Sequence, residues 1–272
     1  MPKLAVLGQP VSHSRSPAMQ NAALAELGLA PEWSYEAIEV APEDFDELVR
    51  SLPGKGFAGV NVTVPHKLAA LAVADTATDT AREIGAANTL TFAAGEIAAD
   101  NTDAAGLIGA LPVDVAGERA VVLGAGGSAR AVVWALKRAG AEVEIWNRTE
   151  AKAEALADEF GVAVRTGGGT LGATDYRALV NCTTIGLAEA KDPDPDPACL
   201  KALPVDADSF GESNVVVDLV YGPHPTPLAR LANERGAKVV DGLEVLVHQG
   251  AASLRIWTGK EPPIETMRRA AR

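Results

Sequence analysis

Short apolar runs alternate with stretches of helical periodicity along most of the chain. Leu4 to Leu7, Tyr35 to Val40 and Gly59 to Val64 read as strands, while Pro17 to Leu27 and Pro42 to Ser51 space their apolar residues as helices do. In Gly59-Val60-Asn61-Val62-Thr63-Val64 the period of two sets Val60, Val62 and Val64 on one face and Asn61 with Thr63 on the other. The rhythm restarts at Arg119: a strand through Leu123, a glycine-rich turn, a helix to about Arg138 and a second strand from Val143 to Trp146. Ala178 to Asn181, Val215 to Leu219 and Lys238 to Val240 read as further strands of a mostly parallel sheet. The expected fold is α/β in two domains, one over residues 1–103 and one over 104–240. Helices over 241–272, with Leu243, Leu246 and Val247 on one face, are expected to return to the first domain. Lys191 to Pro197, with Pro at every second position, reads as a solvated loop, or else as a lid.

Composition narrows the classes. At 272 residues the chain has room for two cores, and its apolar residues, 47% of the total, come in runs too short and too interrupted by charge to span a bilayer. Pro2-Lys3 leads straight into Leu4-Ala5-Val6-Leu7-Gly8, too short for a signal-peptide core, so a soluble cytoplasmic protein is expected. Cys182 and Cys199 have neither disulfide-framework nor metal-ligand spacing. A formal net charge of −12 with no basic stripe makes nucleic acid an unexpected partner, and leaves isolated Lys and Arg residues as the groups able to meet an anionic ligand.

Gly124-Ala125-Gly126-Gly127-Ser128-Ala129 stands between a strand and a helix, the context a dinucleotide-binding turn requires. Gly124 permits the tight turn, Gly126 lets backbone approach a pyrophosphate, and Ala129 lets helix and strand pack closely. After the second strand, where an acid would hold the ribose of NAD, the chain has Asn147-Arg148-Thr149, with Lys152 a short step on. Arg148 suits a 2′-phosphate, which favours NADP; Glu150 is the group that would instead suit an unphosphorylated ribose.

In the first domain, Ser12-His13-Ser14-Arg15-Ser16-Pro17 precedes a helix. Ser16 is expected as N-cap with Pro17 at the first helical position; Ser14, with no capping role at its spacing, could join Ser16 in cradling a small carboxylate. His13 reads as a structural hydrogen-bond partner rather than an acid or base. Lys67 falls where strand gives way to helix, near a positive dipole end that disfavours a cation. It is either a solvated lysine or a group poised for proton transfer. Gly85-Ala86-Ala87-Asn88-Thr89 and Asp100-Asn101-Thr102-Asp103 bring amides, hydroxyls and a carboxylate to strand and loop ends, as polyol recognition needs. Asp103 is either a plain N-cap or the partner of Lys67 and a substrate hydroxyl.

Together these segments resemble the shikimate dehydrogenase family from Gly8 to Gly259: GQPVSHSRSPAMQN, GVNVTVPHK, GAANTL, DNTDAAG, VVLGAGGSARA, NRTEAKA, NCTTIG, DLVYGPHPTPL and GLEVLVHQGAASLRIWTG. The resemblance implies a substrate-binding first domain and a Rossmann NADP-binding second one, with reversible NADPH-dependent reduction of 3-dehydroshikimate to shikimate in aromatic amino acid biosynthesis and no metal. It implies that Lys67 and Asp103 are the catalytic pair, that Ser14 and Ser16 bind the substrate carboxylate, and that Asn61, Thr63, Asn88, Asp103 and Gln249 bind its hydroxyls, with Tyr221 nearby. For the cofactor it implies Gly124, Ala125, Gly126, Gly127, Ser128, Ala129, Asn147, Arg148, Thr149, Lys152, Thr183, Leu219 and Gly242. A quinate/shikimate dehydrogenase using NAD is the nearest alternative, and a ligand sensor without catalysis is argued against by Lys67 and Asp103; a homodimer is left open. Ala99, where the family usually has glycine, and Glu244-Val245 before Leu246 depart from its pattern.

Overall fold

The computed structural model describes residues 1–167 and 169–272. The chain divides into two compact units, one of Met1–Gly106 with Leu246–Arg272, the other of Leu107–Val245. The chain crosses between them within two helices, at Gly106 and at Val245.

Six strands form the sheet of the first unit: β1 (Lys3–Gly8), β2 (Ser34–Glu39), β3 (Phe57–Val62), β4 (Thr76–Ala77), β5 (Thr89–Ala93) and β6 (Glu96–Asp100). Their order is β2-β1-β3-β5-β6-β4, with β1 parallel to both β2 and β3. Antiparallel pairing enters with β5 and β6, joined by Ala94 and Gly95, both at positive φ, as a two-residue hairpin turn requires. The first-unit helices are α1 (Ser16–Glu26), α2 (Phe45–Ser51), α3 (Lys67–Val73), α4 (Asp79–Ile84) and α5 (Asp103–Ala110). Met19, Gln20, Ala23 and Leu24 form the buried stripe of α1, at helical spacing. Leu7, Phe45, Val49, Val60, Val62 and Leu90 are buried in one core cluster. Val64 is a correction to the alternation above: β3 ends at Val62, and Val64 lies beyond it in a turn, 53% exposed. The turn reverses the chain before α3, so strand periodicity no longer applies there.

The second unit has β7 (Arg119–Leu123), α6 (Gly127–Arg138), β8 (Glu142–Trp146), α7 (Glu150–Phe160), β9 (Ala163–Val164), β10 (Ala178–Asn181), β11 (Val215–Asp218), α8 (Pro227–Glu234) and β12 (Lys238–Asp241). All pairs are parallel in the order β12-β11-β10-β7-β8-β9, a doubly wound sheet whose strand order reverses between β10 and β7. β10 and β11 are buried at every position, as central strands covered on both faces must be. In such sheets ligands bind beyond the carboxyl ends of the strands at the switch point, and here Leu123 and Asn181 end the two switch-point strands.

α9 (Gly242–Thr258) and α10 (Ile264–Ala271) complete the chain. From Leu246 onward they belong to the first unit, and α10, with Met267 and Ala271 buried, packs against α1. Among the described residues no helix is long and apolar enough to cross a membrane.

Candidate active site

β1 and β3 are hydrogen-bonded parallel neighbours, so the loops after them leave the same edge of the first sheet. The Gln9 N–H donates to the Val64 carbonyl at 3.0 Å, tying the Ser14–Ser16 loop to the one leading into Lys67. On the first of these loops the hydroxyl roles are reversed from the sequence expectation. Ser16 is the first residue inside α1 and caps nothing; its own N–H donates to Ser14 Oγ at 3.2 Å. Ser14 therefore meets one of the unpaired N–H groups that open a helix, and Pro17 moves to the second helical position. His13 is exposed, and among the described residues its ring has no hydrogen bond.

Lys67 is the first residue of α3 and only 7% exposed. Its Nζ donates to Asp103 Oδ2 at 2.7 Å. Asp103 opens α5, but its carboxylate is not spent on capping: Oδ1 accepts from Asn88 Nδ2 at 2.8 Å. Lys67 is therefore not a solvated lysine, and Asp103 is its ion-pair partner rather than a plain N-cap. Asn88 Nδ2 also reaches Gln249 Oε1 at 3.2 Å, and Gln249 Nε2 donates to the Leu246 carbonyl at 2.9 Å. Gln249 lies so close to α5 that a Cβ added at Gly106 would stand 2.6 Å from Gln249 Cβ; only glycine admits this approach. Thr63 is half-buried, with its N–H donating to the Leu7 carbonyl at 2.8 Å.

Asn61 departs from the expectation. It is 5% exposed; Nδ2 donates to the Asn88 carbonyl, Thr89 Oγ1 and Ser253 Oγ, the last at 2.8 Å, while Oδ1 accepts from the Tyr35 hydroxyl at 2.8 Å. Both amide hydrogens are taken within the fold. Ser253, on α9, is completely buried and joins Asn61, Thr89, Thr102 and the Gln249 carbonyl beneath the Lys67 pair. A serine inside an apolar helical stripe carries no sequence signal for this position.

In the second unit Gly124 has φ +112°, a conformation L side chains avoid, and its N–H donates to the Trp146 carbonyl at 2.7 Å. Gly126, N-cap of α6, is exposed, and the direction a Cβ would take is open for 4 Å. Ala125, Gly127 and Ser128 are half-buried, and Ala129 is fully buried against the sheet. Such a turn leaves backbone N–H groups at a helix start open to an anion. Beyond β8, Asn147 Nδ2 donates to the Thr149 carbonyl at 2.8 Å, leaving Arg148, Thr149 and Lys152 exposed as a cationic rim, with Glu150 exposed among them. These residues fit a phosphorylated dinucleotide. Thr183 and Leu219 follow β10 and β11 at the same sheet edge, and Gly242 opens α9 against the Leu219 carbonyl, where a Cβ would stand 2.5 Å from the oxygen. Tyr221, half-buried, belongs to this unit.

Asp218, last residue of β11, is 1% exposed. Burial pushes its carboxyl from 3.8 up to about 6, against hydrogen bonds from Thr226, Val220 and Asn181 that pull it down. The folded chain thus binds this proton more tightly than the unfolded chain. The group's contribution to stability is fully present below about pH 4 and is lost as pH rises through 6, by roughly 3 kcal/mol. Asp218→Asn should therefore gain stability relative to wild type between pH 4 and 6 and hold that gain above. Melting curves of both proteins from pH 4 to 8 check this; a constant difference would show that Asp218 does not titrate in the window.

A dinucleotide turn on a doubly wound parallel sheet, in one chain with a second α/β unit carrying a buried Lys–Asp pair, defines a two-domain nicotinamide-dependent oxidoreductase. Residues 6–90 match the shikimate dehydrogenase substrate binding domain, 109–167 the shikimate / quinate 5-dehydrogenase family and 242–272 the shikimate 5'-dehydrogenase C-terminal domain. The shikimate dehydrogenase (NADP(+)) of Methanocella arvoryzae is 43% identical over 277 residues, covering 98% of this chain and 97% of its own. The crystal structure of shikimate 5-dehydrogenase from Thermus thermophilus in complex with NADP(H) and shikimate is 43% identical with a TM-score of 0.87, covering 100% of this chain and 98% of its own. The ligand-free 5-ketofructose reductase of Gluconobacter sp. strain CHM43 has the same fold at 30% identity and a TM-score of 0.86, covering 99% and 97%. This chain belongs to the shikimate dehydrogenase family.

Proposed function

We propose that the chain catalyses the reversible NADPH-dependent reduction of 3-dehydroshikimate to shikimate, in the cytoplasm, where its two cysteines stay reduced as thiols. The observation that carries the reading is the Lys67–Asp103 pair at 2.7 Å, held by Asn88 beside Gln249. When bound, the dinucleotide supplies the hydride, and the chain supplies the proton and the orientation. Lys67 Nζ donates a proton to the alkoxide formed at the ring carbonyl; Asp103 holds the ammonium and accepts from a neighbouring hydroxyl. Thr63, Asn88 and Gln249 take the remaining hydroxyls, and Ser14 and Ser16 take the carboxylate at the α1 start. Asn61, with its amide already spent, supports Asn88 from below.

Initial rates with shikimate and quinate, each with NADP and NAD, test this reading. A preference for shikimate with NADP supports it, and inactivity with shikimate overturns it. Quinate oxidation is the second reading, because the family matched over 109–167 spans both substrates. Cofactor choice is assigned to Arg148 and Lys152 at the exposed rim. Arg148→Ala should raise the NADP Michaelis constant about ten-fold or more while sparing any NAD activity, since one charge-assisted contact to the 2′-phosphate is lost. Equal losses with both cofactors would refute the assignment.

A further inference from the structure

Thr183, Leu219 and Gly242 come from three separate stretches of sequence, yet all three meet around one buried residue, Asp218. Its Oδ1 accepts from Asn181 Nδ2 at 2.9 Å and from the Val220 N–H at 3.1 Å; Oδ2 accepts from the Thr226 hydroxyl at 2.6 Å. Asn181 passes the constraint on, because its Oδ1 accepts both the Thr183 N–H at 3.0 Å and the Thr183 hydroxyl at 2.7 Å. The Val220 bond fixes the peptide that follows Leu219. Gly242 rests on the same turn, a Cβ there standing 2.5 Å from the Leu219 carbonyl oxygen and 3.0 Å from the backbone carbonyl oxygen of Asp218. Thr226 in turn caps α8 by accepting from the Ala229 N–H at 3.1 Å.

Three donors converge on this side chain, and only a carboxylate offers two acceptor oxygens with no donor. Among the described residues no cation pairs with it. A buried carboxylate without a counter-ion is poorer for stability than an apolar side chain of its size; what it contributes is fixed geometry among the segments it joins.

We propose that Asp218 is a positioning residue of the cofactor site: without touching the dinucleotide, it holds Thr183 and the Leu219 peptide in the arrangement that receives it. The proposal rests on the NADP-dependent reading above. Asp218→Asn keeps the shape but turns an amide N–H₂ toward a donor, so the clamp opens while the sheet remains.

The test uses the full chain at pH 7.5, with NADPH affinity from the fluorescence of the bound nucleotide, shikimate affinity from calorimetry, and the melting temperature alongside. Asp218→Asn should weaken NADPH binding about ten-fold or more. Shikimate affinity should stay within about three-fold, since Ser14, Ser16, Thr63, Asn88 and Gln249 lie in the other unit and only Tyr221 follows the clamp. Should the Asn variant not fold, Thr226→Val removes the 2.6 Å bond together with the α8 cap, leaves the Asn181 and Val220 bonds to Asp218 in place, and is expected to weaken NADPH binding about three-fold. Unchanged NADPH affinity, whichever way the melting temperature moves, would make Asp218 merely structural and overturn the proposal. Equal losses for both ligands would overturn it too. If wild type binds shikimate but not NADPH, the functional reading itself has failed and the proposal falls with it.

Discussion

Lys67→Ala is expected to lower turnover about 10²–10⁴-fold with only a modest change in shikimate affinity, because it deletes the proton donor and leaves the hydroxyls and amides that hold the substrate. The position of Lys67 makes the separation of binding from chemistry sharp. It opens α3 at the end of a turn, its carbonyl accepts the Ala87 N–H at 2.9 Å, and that backbone bond survives truncation of the side chain. The stability effect is where structure reverses the sequence argument. A cation at a helix N-terminus costs about 0.3–1 kcal/mol, so its removal alone would stabilise. The side chains of Lys67 and Asp103, however, are 9% and 18% exposed, and truncation leaves the carboxylate with only the Asn88 bond and its own helix start for company. An orphaned, largely buried charge outweighs the dipole term, and the melting temperature should fall by a few degrees. Steady-state rates, shikimate binding and melting of the variant beside wild type decide the matter; near-normal turnover would remove Lys67 from the mechanism.

How much of this was legible in the sequence depended on the kind of constraint. The second sheet reads almost directly, because strands buried on both faces are unbroken apolar runs and the glycine turn has to lie between strand and helix. The β5–β6 hairpin has no strong sequence signal: Ala94-Gly95 is a weaker turn signal than Asn-Gly, and Thr89 to Ala93 follows a loop already rich in small residues. The chemistry of Lys67 and Asp103 could be framed as alternatives but not decided, since pairing across 36 positions is a tertiary fact. Asn61 carried the right residue type for a ligand contact, yet Tyr35 and Ser253, distant in sequence, consume it. Asp218 lies inside the run Val215 to Leu219, where nothing in the sequence singles it out. Its role emerges only when Asn181 and Thr226 are seen to converge on it.

Asp103→Asn should cost about 10²-fold in turnover and, unlike the lysine variant, weaken shikimate binding as well. The carboxylate accepts on both oxygens, from Lys67 Nζ on one and Asn88 Nδ2 on the other. An amide can accept on one side only. If its oxygen faces Lys67, its nitrogen meets Asn88 donor to donor, and the Asn88 link to Gln249 is disturbed; if it faces Asn88, its N–H₂ confronts an ammonium. The second arrangement is worse because a charge is then unpaired, so the first prevails and Asn88 is the group displaced. Lys67 stays near its place, but the substrate hydroxyl contacts do not. A double variant separates this account from independent roles. If Lys67 acts as the acid and Asp103 acts through it, then in the absence of Lys67 the further change at Asp103 should lower turnover by no more than about three-fold, while the loss in shikimate affinity remains. Turnover in the double variant equal to the product of the two single losses would show that each residue contributes separately, and the pair would no longer be one catalytic unit.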